Sequence, residues 1–324
     1  MSDAITYREA VIRALGDELE ADERVILIGE DVGAAGGVFK ATEGLHARFG
    51  GVRVRDTPIA EQAIVGTVLG AAVSGLRPVG EIMFADFAGV CYDQIVNQMA
   101  KYRFQSGGQT TVPATLRMAG GGSLGFGAQH SQCVENWFLQ TPGLKLCLPA
   151  TPADAYTLLR AAIRDDDPVI VFEHKALYGI RGELRDDGLP IGAAEVVREG
   201  GDVTVVATQL MRHRAMEAAE QLAAEGVSCE VIDPRTIAPL DTATILASVG
   251  HTGRLVCVQE APAAGSWGQA VIATVAVAGF ELLDAQPALI AADPIPVAYA
   301  RTLEEATLPS VERIAAGIRS AIDA

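Results

Sequence analysis

"DTPIAEQAIVGTVLGAAVSGLRPVGEIMF", residues 56–84, is the stretch that decides the fold. From Glu61 to Gly75 it reads as an almost wholly apolar helix, which leads through Arg77 and Pro78 into the short apolar strand "VGEIMF". A helix feeding a buried strand is the repeating element of a mostly parallel sheet covered by helices on both faces. One residue does not fit this pattern. Glu61 places a carboxylate between Ile59 and Ile64, and leaving such a charge buried and unpaired costs about 3–5 kcal/mol. Two readings follow: a helix N-terminal charge favoured by the macrodipole, or a carboxylate that meets a partner, a ligand or water.

The same alternation extends in both directions. Upstream, "TYREAVIRALGDELEAD" has helical spacing with Thr6 as N-cap, and "RVILIGE" follows as a strand. Downstream come helix "CYDQIVNQMAKYRF", strand "VPATLRMA", a Gly-rich loop at 119–127, strand "LKLCLPA", helix "PADAYTLLRAAIRD" and strand "PVIVFEH". From Ala176 to about Gly201 the pattern breaks into polar, Gly-rich sequence, so a linker is expected at 186–200 between domains over 1–185 and 201–324. A second alternation then runs from "VTVVAT" to a terminal helix beginning at Ser310. The fold class expected is α/β, with two doubly wound domains.

Composition sets the limits. The 324 residues exceed the roughly 100–200 typical of one domain, and 49% apolar with 20% charged residues is ordinary for globular chains. The net charge is −16 and lysine disappears after Lys175, which argues against nucleic acid and leaves room for a basic protein partner. No apolar run reaches the roughly 18 residues of a membrane span and "MSDAITYREA" is no secretory signal, so a soluble intracellular chain is expected. Five cysteines, Cys91, Cys133, Cys147, Cys229 and Cys257, form no CxxC pair and read as core residues rather than as disulfides or zinc ligands.

Three further stretches carry possible chemistry. In "GGGSLGFGAQHSQ", residues 120–132, glycines precede His130; such a loop lets backbone approach a ligand and histidine moves protons near neutral pH, although a flexible loop with a capping "HSQ" fits as well. His46, His174, His213 and His251 lie in stretches that read as solvated or linker. In "MFADFAGVCYDQIVNQ", Phe84 and Phe87 are either core or the lining of a crevice at a strand end. In "AAIRDDDPVIVFEHK", three aspartates end a helix where the macrodipole disfavours anions, so the turn is either solvated or coordinates a cation. There is no GxGxxG after the first strand and no GxxxxGK[ST], and Glu30 and Asp31 in "GEDVGAAGG" would repel a pyrophosphate.

Taken together, "DTPIAEQAIVG", "FADFAGVCYDQIVNQMAKYRF", "GAQHSQ" and "AAIRDDDPVIVFEHKALYG" make the chain resemble, over essentially its whole length, the beta subunits of thiamine-diphosphate-dependent 2-oxo acid dehydrogenases acting on pyruvate, branched-chain 2-oxo acids or acetoin. The resemblance implies a transketolase-like pyrimidine-binding domain followed by a transketolase C-terminal-like domain. It implies that Glu61 hydrogen-bonds a pyrimidine nitrogen of thiamine diphosphate and so favours the tautomer that deprotonates the thiazolium carbon. Phe87 would stack on the pyrimidine, and His130 would handle protons at substrate or dihydrolipoyl sulfur. A potassium-like cation would sit on the main-chain carbonyls of Ala114, Ala162 and Ile163 with Asp165 and Asp167.

The chain has no GDG motif, so the resemblance assigns magnesium and the diphosphate to an alpha subunit and implies an α2β2 heterotetramer that shares the cofactor. The reaction implied is oxidative decarboxylation of a small 2-oxo acid, or cleavage of acetoin, with reductive acylation of a lipoyl group on an acyltransferase core, in the cytoplasm of a bacterium. The acidic end of the chain, with Glu304, Glu305, Glu312 and Asp323, is expected to face a basic domain of that core. Two rivals are weighed against this. A self-sufficient transketolase-like enzyme is opposed by the missing GDG, and a non-catalytic assembly subunit by the intact Glu61, Phe87 and His130.

Overall fold

The computed structural model describes residues 4–185 and 190–324, and these divide into two compact units. The first unit comprises residues up to Gly120 together with Trp137–Ile191, and the second comprises Gly121–Asn136 and Gly192–Ala324. The segment carrying His130, Gly121–Asn136, groups with the C-terminal residues.

In the first unit, α1 (Tyr7–Ala21) opens with a reciprocal capping box in which the Thr6 hydroxyl accepts from Glu9 N–H and the Glu9 carboxylate accepts from Thr6 N–H. Six parallel strands follow: β1 (Val25–Gly29), β2 (Val54–Asp56), β3 (Arg77–Ile82), β4 (Thr115–Gly120), β5 (Lys145–Cys147) and β6 (Val169–His174). They lie side by side in the order β5-β6-β4-β3-β1-β2, with α2 (Glu61–Val73) leading from β2 to β3 on the other side of β1. Strands buried on both faces need no polar alternation, and β1, β4 and β6 are buried at every position. Between β5 and β6, α3 (Pro152–Arg164) starts on a second capping box, Thr151 with Asp154, and with proline at its first position.

The helix expected over 91–104 is broken. A 3-10 turn spans Ala85–Gly89, a π-helix Gln94–Met99 and a short α-helix Tyr102–Gln105.

In the second unit, β7 (Glu195–Arg198), β8 (Val203–Ala207), β9 (Cys229–Asp233), β10 (Leu255–Pro262) and β11 (Ala288–Ala292) form a sheet in the order β11-β10-β8-β9-β7. All pairs are parallel except β7 on β9. Strand β7 falls inside the expected linker at 186–200, of which residues 186–189 lie outside the described chain. Two helices, α4 (Gln209–Ala223) and the terminal α8 (Val311–Asp323), share one core with the strands through Met211, Ala215, Leu222, Ile314 and Ile318. Connecting these strands, α5 (Thr242–Thr252) and α6 (Trp267–Ala278) are followed later by α7 (Arg301–Thr307). Among the described residues no helix is long and apolar enough to cross a membrane.

Candidate active site

Glu61 is the first residue of α2, and its position there follows from local sequence. Pro58 disfavours helix just before it, Ala60 offers no capping side chain, and the acidic side chain meets the positive end of the helix dipole. Yet Glu61 is only 8% exposed, and its carboxylate has no hydrogen bond or ion pair to any described residue. The helix dipole alone does not repay that burial. Two other polar atoms on the flanking segments are buried without partners: Thr57 Oγ1 just before the helix, and Gln94 Oε1 on the π-helix, which packs against α2.

Phe87 lies in the 3-10 turn after β3, half-buried, with its ring edge-on to Phe84 at 5.6 Å between centroids. Phe84 meets Phe39 edge-on at 5.5 Å, and Phe39 stacks on Tyr178 at 5.4 Å. Cys91 links Glu61 to this turn. Its Sγ approaches the Phe87 carbonyl at 3.8 Å, and burial, together with the Glu61 charge, pushes its thiol up to about 12, so it stays protonated and is no nucleophile at neutral pH. Burial, with Asp31 and Glu61 nearby, also raises the Glu30 carboxyl above its ordinary value. The structure thus brings Glu61, Glu30, Cys91 and Phe87 into one neighbourhood.

His130 belongs to the other unit. It is half-buried at the end of the Gly-rich loop, where its N–H donates to the Gly127 carbonyl at 3.3 Å. His174, read from sequence as solvated or linker, is instead buried at the end of β6, and its Nδ1 accepts from Ala176 N–H at 3.2 Å.

The turn after α3 is held by protein cations. The Ala114 carbonyl accepts from Val169 N–H at 3.0 Å and the Ala162 carbonyl from Asp165 N–H at 3.2 Å. Arg77 Nη1 donates to the carbonyls of Ile163 at 3.1 Å and Asp165 at 2.9 Å. The Asp165 carboxylate takes the Lys145 ammonium at 2.6 Å, and that of Asp167 takes Arg103 at 2.5 Å. Arg77, Lys145 and Arg103 thus supply part of the counter-charge to the three aspartates at this helix end. Among the described residues no cluster of three His, Cys, Asp or Glu side chains is placed to hold a metal.

Sequence reasoning missed two groups of buried charge. In the first unit Glu81 on β3 lies opposite Arg117 on β4, whose guanidinium pairs with the Glu81 carboxylate and forks onto Glu173 of β6 with two bonds of 2.7 Å. Tyr178 Oη donates to the same Glu173 at 2.6 Å. Each charge interrupts an otherwise apolar strand, which was the available signal. In the second unit Glu304 is fully buried, not part of an acidic surface as expected, whereas Glu305 is exposed and pairs with Arg214 at 2.8 Å.

Comparison with known proteins bears on these arrangements. Residues 3–181 match the transketolase pyrimidine-binding domain and residues 192–314 the transketolase C-terminal domain. The chain is 44% identical to the acetoin:2,6-dichlorophenolindophenol oxidoreductase beta subunit of Cupriavidus necator, covering 98% of each chain. It is 43% identical to the 2-oxoisovalerate dehydrogenase beta subunit of Bacillus subtilis, over 97% of this chain and 98% of that one. The chain belongs to the family of 2-oxo acid and acetoin dehydrogenase beta subunits. Its fold also matches a split-gene transketolase solved as an inactive beta4 tetramer, with a TM-score of 0.81 over 99% of both chains at 22% identity. For this family member, the expected two transketolase-type α/β domains are therefore present.

Proposed function

We propose that this chain is the beta subunit of a thiamine-diphosphate-dependent 2-oxo acid or acetoin dehydrogenase, working with an alpha subunit as an α2β2 enzyme that acylates the lipoyl group of an acyltransferase core. The observation that carries this reading is the Glu61 carboxylate, buried and without a partner among the described residues, in a member of this family. A buried carboxylate without a donor fits a ligand that brings a ring N–H to it, as an aminopyrimidine does. Thiamine diphosphate, when bound, supplies the carbon nucleophile and the electron sink for cleaving the bond next to a carbonyl.

The residues of this chain then have distinct tasks. Glu61 holds the proton at the pyrimidine nitrogen, in surroundings dry enough to strengthen that hydrogen bond. Phe87 would offer its ring to the pyrimidine, and Cys91, kept protonated, is a neutral neighbour of Glu61. His130 moves protons at the substrate or at dihydrolipoyl sulfur. The chain lacks GDG, so the diphosphate and magnesium fall to the alpha subunit. A monovalent cation on the carbonyls of Ala114, Ala162 and Ile163 with Asp165 and Asp167 would share Ile163, Asp165 and Asp167 with Arg77, Lys145 and Arg103. A bacterial cytoplasmic setting accords with the bacterial relatives.

Relatives acting on acetoin and on 2-oxoisovalerate match this chain almost equally, so the substrate is left to assay among pyruvate, 2-oxoisovalerate and acetoin. The test is Glu61→Gln in the reconstituted heterotetramer. It keeps size and polarity but removes the ionisable group, and turnover on the best of the three substrates is expected to fall about 100- to 10,000-fold with assembly intact. Wild-type turnover in a variant saturated with cofactor would overturn the assignment.

A further inference from the structure

The loop that carries His130 is tied down at four points, all within the second unit. Gly121 N–H donates to the Gln132 carbonyl at 3.3 Å, and Ser123 Oγ accepts from Arg214 Nη2 at 3.2 Å. Gly122 N–H donates to the Glu260 carboxylate, and Gly125 N–H donates to Glu304 Oε2 at 2.7 Å. The last two anchors are far away in sequence, 138 and 179 residues from the glycines they hold.

The fit is close. A Cβ at position 122 would lie 3.2 Å from Glu304 Oε1 and 3.3 Å from Glu260 Oε1, and one at position 127 would lie 2.4 Å from the Tyr299 ring. Gly125 and Gly127 also hold φ of +74° and +76°, which side chains rarely adopt. The glycines of this loop are therefore required by contact as well as by conformation.

Glu304 is an expensive way to make one hydrogen bond. It is 0% exposed, its Oε1 has no partner, and no guanidinium or ammonium pairs with it. An apolar side chain of similar volume would serve stability at least as well. What a carboxylate adds is a charge-assisted acceptor, about twice as strong as a neutral one. That strength has a use here, because a Gly-rich segment loses more freedom on ordering than any other and needs strong anchors to hold one conformation.

We propose that Glu260 and Glu304 are positioning residues, which clamp the loop at Gly122 and Gly125 so that His130, a few residues further on, is presented in one orientation to the reaction. The proposal rests on the assignment of His130 above. Neither carboxylate touches the reacting atoms; they act through the loop backbone.

The experiment compares the wild-type chain with Glu304→Asp and Glu304→Gln, using hydrogen exchange of peptides spanning 121–130 and the kcat and KM of the assembled enzyme, with His130→Ala as reference. Glu304→Asp keeps the charge but withdraws the oxygen by one methylene. It is expected to speed exchange of the loop about tenfold and lower kcat about tenfold, with KM for the substrate within about twofold. Glu304→Gln keeps an oxygen acceptor at the original reach but loses the charge that strengthens it, and is expected to speed loop exchange and lower kcat by a smaller factor, about three- to fivefold. Unchanged exchange in Glu304→Asp would overturn the clamp. So would a loosened loop with full kcat while His130→Ala is slow, and that result would leave the role of His130 standing. Full turnover by His130→Ala would overturn the clamp and the site assignment together. Should Glu304→Asp fail to fold, Glu260→Asp is read by the same two criteria.

Discussion

Both units bury glutamates, but they meet that burial in opposite ways. In the first, Glu81 and Glu173 share Arg117, with Tyr178 donating a further hydrogen bond, so nearly every oxygen faces a donor. In the second, Glu260 and Glu304 face backbone N–H groups, one oxygen of Glu304 has no partner among the described residues, and the nearby Glu135 is held towards its neutral form. Burial, with the Glu260 charge, raises the Glu135 carboxyl to about 7. The difference separates two uses of buried charge. An ion network threaded through three adjacent strands ties a sheet together, whereas carboxylates aimed at a loop tie down a mobile sequence at a cost to the unit that holds them.

The largest expected effect breaks the first arrangement. Arg117→Met fills a similar volume but leaves Glu81 and Glu173 facing each other without a cation, and a loss of about 3–5 kcal/mol is expected in urea unfolding. A loss below about 1 kcal/mol would mean that the network is not what distinguishes the first unit.

Next in size is a pH effect confined to the second unit. A carboxyl whose folded value is raised from 4.5 to about 7 favours the folded state most below 4.5, and that contribution disappears as pH rises through 7. The shift corresponds to about 3 kcal/mol. Glu135→Gln cannot ionise, so its stability relative to wild type should climb by about that amount between pH 4.5 and pH 8. Parallel curves for the two proteins would show that Glu135 is not held neutral by its surroundings.

The smallest effect is a control that sharpens the contrast. Thr151 caps α3 in the first unit by accepting from Asp154 N–H, and Ser310 caps α8 in the second by accepting from Arg313 N–H, both at 3.1 Å. Thr151→Ala and Ser310→Ala should each cost about 1 kcal/mol. Equal costs would show that the units answer alike to an ordinary change, so that the unequal fates of their buried acids come from pairing and not from a looser second unit.

Local and periodic features were legible in the sequence. The Thr6 cap, the helix over 152–164, the alternation of helices and parallel strands, and Glu61 as an anomaly in an apolar segment all depend on residues within a turn or two of each other. What could not be read depends on long-range packing. The linker expected at 186–200 contains β7, which exists only because β9 offers it an edge. The break in the helix over 91–104 reflects tertiary packing of the π-helix against α2, which overrides helical propensity. Glu304 looked like a surface charge because its neighbours in sequence are polar, and nothing local indicates that a glycine loop 179 residues away would cover it. The partners of the aspartate turn were hidden in the same way: Arg77, Lys145 and Arg103 come from three separate segments.

The passage of the chain through its two units sets an order for biosynthesis. It leaves the first unit after Gly120, returns at Trp137 and leaves again after Ile191. When residues 121–136 emerge from the ribosome, the strands on either side have their partners close behind, but Glu260 and Glu304 have not yet been translated. At about 5–20 residues per second, the loop waits on the order of ten seconds or more for its second anchor. During that interval the glycine-rich segment has only its nearer tie points, Gln132 and later Arg214, to hold it. The loop bearing His130 is thus among the last parts of the protein to be fully secured, since a chain ending before residue 304 lacks the anchor at Gly125.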